Sequence, residues 1–129
     1  MADPYVLPDA VPVYAGDSWT PNPWERGYLA TPGDESSFVG YDYSTWSTWA
    51  AQWRPDPESA DVIELTVVHD EAAAGKFGVS ATPTQTRQMA VLLDGGTSGV
   101  FDIQVSNGPD SVLTLFRGKT KHTGDVTRD

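Results

Sequence analysis

The chain has 129 residues, and eighteen acidic against eight basic side chains give it a formal charge of −10. This length fits one domain with a sizeable buried core. The negative charge repels phosphate backbones and anionic membrane surfaces, which argues against nucleic acid and membranes as partners. Cysteine is absent, which excludes disulfides and thiolate chemistry.

The opening segment is rich in proline. Its prolines are Pro4, Pro8, Pro12, Pro21 and Pro23. Proline prevents helix formation and interrupts a central strand ladder, so we predict an extended arm over residues 1–24, ahead of a domain over 25–129. The arm could pack along its own domain or reach a neighbouring subunit, and the pattern leaves both arrangements open.

Strands are predicted for the middle of the chain. A strand or a turn is expected at 27–30. A short strand is expected at 76–81, with longer ones at 47–54 and 61–69, because apolar side chains recur in these three segments with period two. The two apolar rows of the longer strands are Trp49, Ala51 and Trp53, and Ile63, Leu65 and Val67. These rows are the expected core faces of an antiparallel sheet.

One short helix is predicted at about 82–93. Thr82 can cap it, Pro83 suits the first helical position, and Gln85 lies three residues after Thr82, which completes a capping box. Gly95 offers a stop.

The last thirty residues predict a β-meander. Two strands with alternating apolar residues flank the turn Asn107–Asp110. A second reversal at Arg117–Lys119 would begin a third, polar strand over 120–127. We expect that strand at an edge, where lysine discourages pairing with other chains, and we expect His122 at its surface.

Catalytic and metal-binding chemistry finds little support in the sequence. The two histidines, His69 and His122, lack the spacing of metal ligands, and the serines lack a nucleophile-elbow motif. Acids that could serve a glycosidase are Glu25, Glu35, Glu58, Glu64 and Glu71. Of these, Glu64 alone lies on a firm strand, opposite its apolar row. We therefore predict no catalytic residue, no cofactor and no metal site, and we expect a protein that is not an enzyme.

Every tryptophan and tyrosine lies at or before Trp53. Such rings stack on sugars, anchor protein interfaces or fill a sandwich core. Alternation favours the core for Trp49 and Trp53. Trp19, Trp24 and Trp46 stand beside prolines or in polar loop sequence, which suits an interface as well as burial.

An ordered series of short motifs resembles the small β-sandwich modules of bacteriophage tails and baseplates. These modules include the N-terminal domain of the upper baseplate protein and short minor tail proteins of actinobacterial phages. The series runs through Asp17-Ser18-Trp19, Ala51-Gln52-Trp53-Arg54, Leu113-Thr114-Leu115-Phe116-Arg117-Gly118 and Asp125-Val126-Thr127-Arg128. The resemblance implies an all-β fold, an Ig-like antiparallel β-sandwich with one short helix and the extended arm.

The resemblance also implies a role. It predicts a non-enzymatic virion protein, a tail or baseplate connector or adaptor that assembles in the bacterial cytoplasm with other virion proteins and with copies of itself. The expected contact residues are Tyr5, Val6, Leu7, Tyr14, Trp19, Trp24 and Trp46. The alternatives are a capsid-decorating or neck subunit, and a carbohydrate-binding module whose platform is Trp19, Trp24, Trp46 and Tyr43.

Overall fold

The computed structural model describes residues 5–21 and 23–123, with the side chain of residue 5 left out. The strands in this part are β1 (Tyr5–Val6), β2 (Val11–Tyr14), β3 (Trp24–Glu25), β4 (Gly27–Leu29), β5 (Phe38–Gly40), β6 (Thr48–Arg54), β7 (Ile63–Val68), β8 (Lys76–Ser80), β9 (Ser98–Ser106) and β10 (Val112–Thr123). One α-helix, α1 (Pro83–Leu93), and two 3-10 turns, Glu35–Ser37 and Ala72–Ala74, accompany them.

Eight of these strands form one mixed sheet in the order β1-β10-β9-β6-β7-β8-β3, with β2 also paired to β10, and β4 and β5 form a separate two-stranded sheet. The sheet curls, because its β3 end lies against β10: the rings of Trp24 and Phe116 are 4.7 Å apart, and Phe77 of β8 lies 5.7 Å from Phe116. The predicted β-rich architecture with a single short helix is therefore confirmed for the part of the chain that the structure describes.

The opening segment runs along β10. β1 pairs with Phe116 and Arg117, and β2 pairs with Thr120 to Thr123, both in parallel. Val13 on β2 is 1% exposed and belongs to the core. Leu7 N–H donates to the carbonyl of Arg117 at 3.0 Å, which continues the ladder between the two strands. The described part of this segment thus covers the outer edge of β10.

The helix begins where the sequence predicts. Thr82 accepts from the Gln85 N–H at 3.1 Å, and the Gln85 side chain accepts from the Thr82 N–H at 2.9 Å. Asp94 ends the helix in the left-handed region. On the buried side, Thr86 accepts from Gly16 N–H at 3.0 Å, and this bond ties α1 to the turn after β2.

The two rows predicted for the core in β6 and β7 are confirmed. Ala51, Trp53, Ile63 and Leu65 are buried, and Trp49 and Val67 are half-buried against the same cluster. The residues that alternate with them along each strand lie on the opposite face of the sheet. Glu64, for example, is exposed on that face of β7.

The predicted meander is right in its first hairpin and wrong in its last strand. β9 and β10 pair around the turn after Ser106, but β10 does not reverse at 117–119 and continues to Thr123. Gly118 lies inside the strand because Phe101 packs over it: a Cβ there would come within 2.6 Å of the Phe101 ring. β10 is also not an edge strand, since β9 lies on one side and β1 and β2 on the other. Residues 124–127 of the predicted third strand lie outside the described residues.

His122 is buried, which corrects the expectation of a surface residue. Trp53 donates its indole N–H to the Thr120 hydroxyl at 2.9 Å, and that hydroxyl lies 2.6 Å from Nε2 of His122. Because an indole can only donate, the hydroxyl accepts from Trp53 and can give its own proton to a neutral imidazole. Burial lowers the pKa of His122 from 6.5 to about 4.

Candidate interaction site

The seven expected contact residues do not form one surface. Trp19 is 5% exposed and lies edge-on to Phe101 at 5.5 Å, which leaves little of it for a partner to touch. Trp24 is half-buried and stacks on the ring of Phe101 at 5.7 Å. Leu7 and Trp46 are also half-buried, whereas Val6 and Tyr14 are exposed. The side chain of Tyr5 lies outside the described residues.

Trp46 contributes instead to a cleft of about 390 Å³ at the start of β10. Its lining is Arg26, Tyr41, Asp42, Tyr43, Trp46, Leu113, Thr114 and Leu115. The Arg26 guanidinium donates to the carbonyl of Leu115 at 3.2 Å, so this bond connects two residues of the cleft lining that are distant in sequence. The cleft combines aromatic faces, one cation and one carboxylate, a combination suited to binding a polar ring or a peptide side chain.

Hydrogen bonds of the backbone hold the aromatic wall of this cleft in place. Tyr41 N–H donates to the carbonyl of Arg26 at 2.9 Å, and Tyr43 N–H donates to the carbonyl of Ala72 at 2.9 Å. Gly40 is required nearby, since a Cβ on it would collide with the carbonyl group of Ala74. The aromatic wall is therefore held in place by backbone contacts to residues outside it, at Arg26 and at Ala72 to Ala74.

Two ionisable groups of the cleft have shifted pKa values. Burial raises the pKa of Tyr43, while the charge of Arg26 lowers it and Tyr41 raises it. Hydrogen bonds from Ser44, first from its hydroxyl and then from its backbone N–H, hold the pKa of Asp42 below its ordinary value. Asp42 is accordingly a carboxylate at neutral pH, and it lines the same cleft as the Arg26 cation.

Next to the cleft stands an apolar hairpin, made of β4, β5 and the turn between them. Tyr28 pairs with Val39, and Leu29 pairs with Phe38. Each of these side chains keeps between 37% and 51% of its surface exposed. Asp34 and Glu35 are exposed at the turn, and the Asp34 carboxylate accepts from Ser36 N–H at 3.1 Å. We call residues 27–40 the apolar hairpin.

The outer face of the sheet carries a basic strip, which we define as Arg54 on β6 with Arg117, Lys119 and Lys121 on β10. The register places Arg54, Val100 and Lys119 in one row, and Gln52, Asp102 and Arg117 in the next. A cleft of about 340 Å³ opens between Arg54, Pro57 and Lys119. Desolvation raises the pKa of Asp102 in spite of the opposing charges of Arg54 and Arg117.

The histidines and glutamates considered as catalytic or metal-binding candidates do not lie together in one site. His69 stacks on Trp49 with ring centroids 5.0 Å apart, and Glu64 accepts from the side chain of Gln52 at 2.8 Å. Within residues 5–21 and 23–123, no group of three or more histidine and carboxylate side chains could hold a metal ion. No helix in the same ranges has the length and apolar character needed to cross a bilayer.

A scan of protein-family models and a search of curated proteins give no match to this chain. The cleft, the apolar hairpin and the basic strip are therefore the features of the molecule that point to a function.

Neither the apolar hairpin as a site nor the basic strip as a surface is among the features predicted from the sequence. The sequence does contain one indication of the strip. Basic residues recur at 117, 119 and 121, and this period of two places them on one face of a strand. No pattern within 27–40 distinguishes the exposed hairpin from a buried one.

Proposed function

We propose that this chain is a non-enzymatic structural subunit of a bacteriophage virion, a connector or adaptor of the tail or baseplate such as a minor tail protein. In this proposal the curled sheet is an Ig-like sandwich, and the Pro-rich arm is the edge that completes it. Its partners are other virion proteins and further copies of itself, and its place is the virion.

The observation that carries the proposal is the apolar hairpin. A two-stranded ribbon gains little stability by itself, and exposed apolar side chains on both of its strands lower solubility. A subunit that is buried in an assembly uses such a ribbon as a contact. Val6 and Tyr14, both exposed on the strands beside β10, supply further apolar contact area.

The proposal is tested in virus particles. Particles of virion size are purified by density gradient from cells that carry the gene, and their peptides are quantified by mass spectrometry. We expect the chain at a fixed ratio to the major particle proteins through successive gradients. Loss of the chain on the second gradient, with the particles intact, would contradict a structural role. Its position by immunogold labelling separates a tail or baseplate site from a capsid-decorating or neck site.

A second candidate, carbohydrate binding, is favoured by the cleft. Tyr41 and Trp46 offer ring faces, and Arg26 and Asp42 offer a donor and an acceptor at its wall. Trp24 and Trp19 of the expected platform lie in or against the core instead.

Titration with soluble glycans, followed by tryptophan fluorescence, decides this candidate. Binding in the cleft predicts a saturable change that Trp46→Phe reduces and that Trp24→Phe leaves in place, provided that both variants fold as judged by circular dichroism. A response of the same size in Trp46→Phe, or no saturable response in the unaltered chain, contradicts it.

A further inference from the structure

The apolar hairpin is acidic as well as apolar. From Gly27 to Trp53 the sequence has no lysine or arginine, and it contains Asp34, Glu35 and Asp42. Both acids of the turn are exposed. The hairpin therefore presents apolar side chains on its strands and negative charge at its tip.

The basic strip has the opposite character. It holds four of the eight basic residues of a chain whose formal charge is −10. The acids within its rows are Asp102 and, opposite Gln52 on β7, Glu64, and Asp56 and Glu58 stand in the loop that continues from Arg54. The positive charge is thus concentrated on β10, at Lys119 and Lys121, which are both exposed.

Apolar surface accompanies this charge. The parallel register places Val6 beside Arg117 and Pro12 beside Lys121, on the same outer face. Tyr14 follows beside Thr123. Val6 is 63% exposed and Tyr14 is half exposed. The strip is therefore a basic surface bordered by apolar groups, complementary to an apolar hairpin with an acidic tip.

We propose that the apolar hairpin of one copy of this chain docks on the basic strip of the next copy. The inference rests on the proposed function and names the partner as a second copy. The hairpin and the strip share no residue, so each copy can use its hairpin on one neighbour and its strip on another, and the proposed contact is heterologous and repeats head to tail. Such contacts close into a ring where the rotation permits and otherwise extend into a filament.

The charges decide the direction of the contact. Two hairpins repel each other through their acids, and two strips repel through their bases, so the hairpin-to-strip pairing is favoured over either symmetric pairing. Salt weakens the contact, because exposed charges are screened within a distance of about 10 Å at 0.1 M ionic strength.

Two single charge reversals and a matched control test the proposal by sedimentation velocity of the full chain. Lys119→Glu alters the strip, and Glu35→Lys alters the hairpin tip. Arg87→Glu makes the same change of charge as Lys119→Glu at an exposed position of α1. We expect the unaltered chain and Arg87→Glu to associate at low salt, and each of the other two variants to associate about tenfold more weakly. Circular dichroism checks that all the variants fold.

Mixing gives the sharper result. A Glu35→Lys copy keeps an intact strip and a Lys119→Glu copy keeps an intact hairpin, so an equal mixture should associate more strongly than either variant alone. The chain with both reversals restores opposite charges and should associate again. Association of all variants to the same degree as Arg87→Glu, or a mixture no better than its components, overturns the proposal. So does an unaltered chain that stays monomeric at low salt.

The outcome is distinguishable from that of the proposed function. A chain that is incorporated in particles but remains a monomer in solution keeps the structural role and loses this contact. A chain that associates through the strip but is absent from particles keeps the contact and loses the virion role.

Discussion

Two aromatic regions of this molecule use the same kinds of side chain in different ways. In the core, Phe77, Phe101 and Phe116 each lie close to other rings and are shielded by the curled sheet. On the apolar hairpin, Tyr28 lies 5.9 Å from Tyr41, the residue that directly follows the hairpin, and both rings are substantially exposed. The core rings hold the domain together, whereas the hairpin rings contribute little to folding and remain available for contact.

The two regions are connected. Tyr41 lies 6.2 Å from Tyr43, and Tyr43 lies 6.0 Å from Phe77 of the core. Because Tyr43 is buried, this series of contacts anchors the base of the hairpin while its tip stays exposed. A contact made at the tip is therefore made by an element that is already positioned, which lowers the entropic cost of binding.

The largest expected effect comes from Trp53, which is the largest fully buried side chain of the described residues, at 0% exposure. Trp53→Ala leaves a cavity and removes the donor to Thr120, so it should lower the free energy of unfolding by about 3–5 kcal/mol. Urea denaturation followed by circular dichroism measures this change. Tyr28→Ala, the matched change on the hairpin, should cost no more than about 0.5 kcal/mol. Equal losses for the two variants would remove the distinction between the regions.

A substitution at Gly118 tests the packing of the core by adding a group to it, whereas Trp53→Ala removes one. Gly118→Ala places a methyl group 2.6 Å from the Phe101 ring and 2.9 Å from Leu7, and this overpacking should cost about 1–3 kcal/mol. Gly78→Ala is the control, because its added Cβ would meet nothing closer than 3.5 Å. If Gly118→Ala and Gly78→Ala had the same free energy of unfolding, β10 would have room for a side chain at residue 118. That result would contradict the close packing of Phe101 over Gly118.

The buried imidazole predicts a pH dependence. The folded pKa of His122 is about 4, below its ordinary value of 6.5, so the unfolded chain binds the proton more tightly. The contribution of the neutral ring is complete above pH 6.5 and is lost as the pH falls towards 4. Allowing for partial solvent screening, we expect a loss of about 1 kcal/mol between neutral and mildly acidic pH.

Thermal unfolding at pH 7 and pH 5 measures this loss. His122→Gln should flatten the dependence, and His69→Gln, at the exposed histidine, should leave it as it is. A dependence that disappears with His69→Gln and persists in His122→Gln would contradict the burial of His122.

The part of the fold that could be predicted from the sequence is the part set by local chemistry. The capping box at Thr82 and Gln85 needs residues three apart, and the faces of β6 and β7 follow from period two. The burial of His122 could not be predicted in this way, because its environment is made by Trp53 and Thr120, and Trp53 is distant in sequence. Gly118 resembled a turn residue for the same reason: the ring that requires a glycine there lies on another strand.

The candidate site was predicted less well than the fold. Alternation tells which side chains share a face, but it does not tell which face another element covers. The sequence around Trp19 and Trp24 suits an interface as well as burial, and the curl of the sheet buries the first and half-buries the second. Tyr28 and Phe38 gave no local indication of exposure, because what exposes them is the separation of their ribbon from the main sheet.

The most direct test of the division between a folding core and a binding hairpin is one comparison on Tyr28→Ser combined with Phe38→Ser. Unfolding free energy and sedimentation velocity are measured on the same preparation, beside the unaltered chain. We predict an unfolding free energy within about 1 kcal/mol of that of the unaltered chain, together with loss of self-association. A large loss of stability, or association that persists unchanged, would contradict the account.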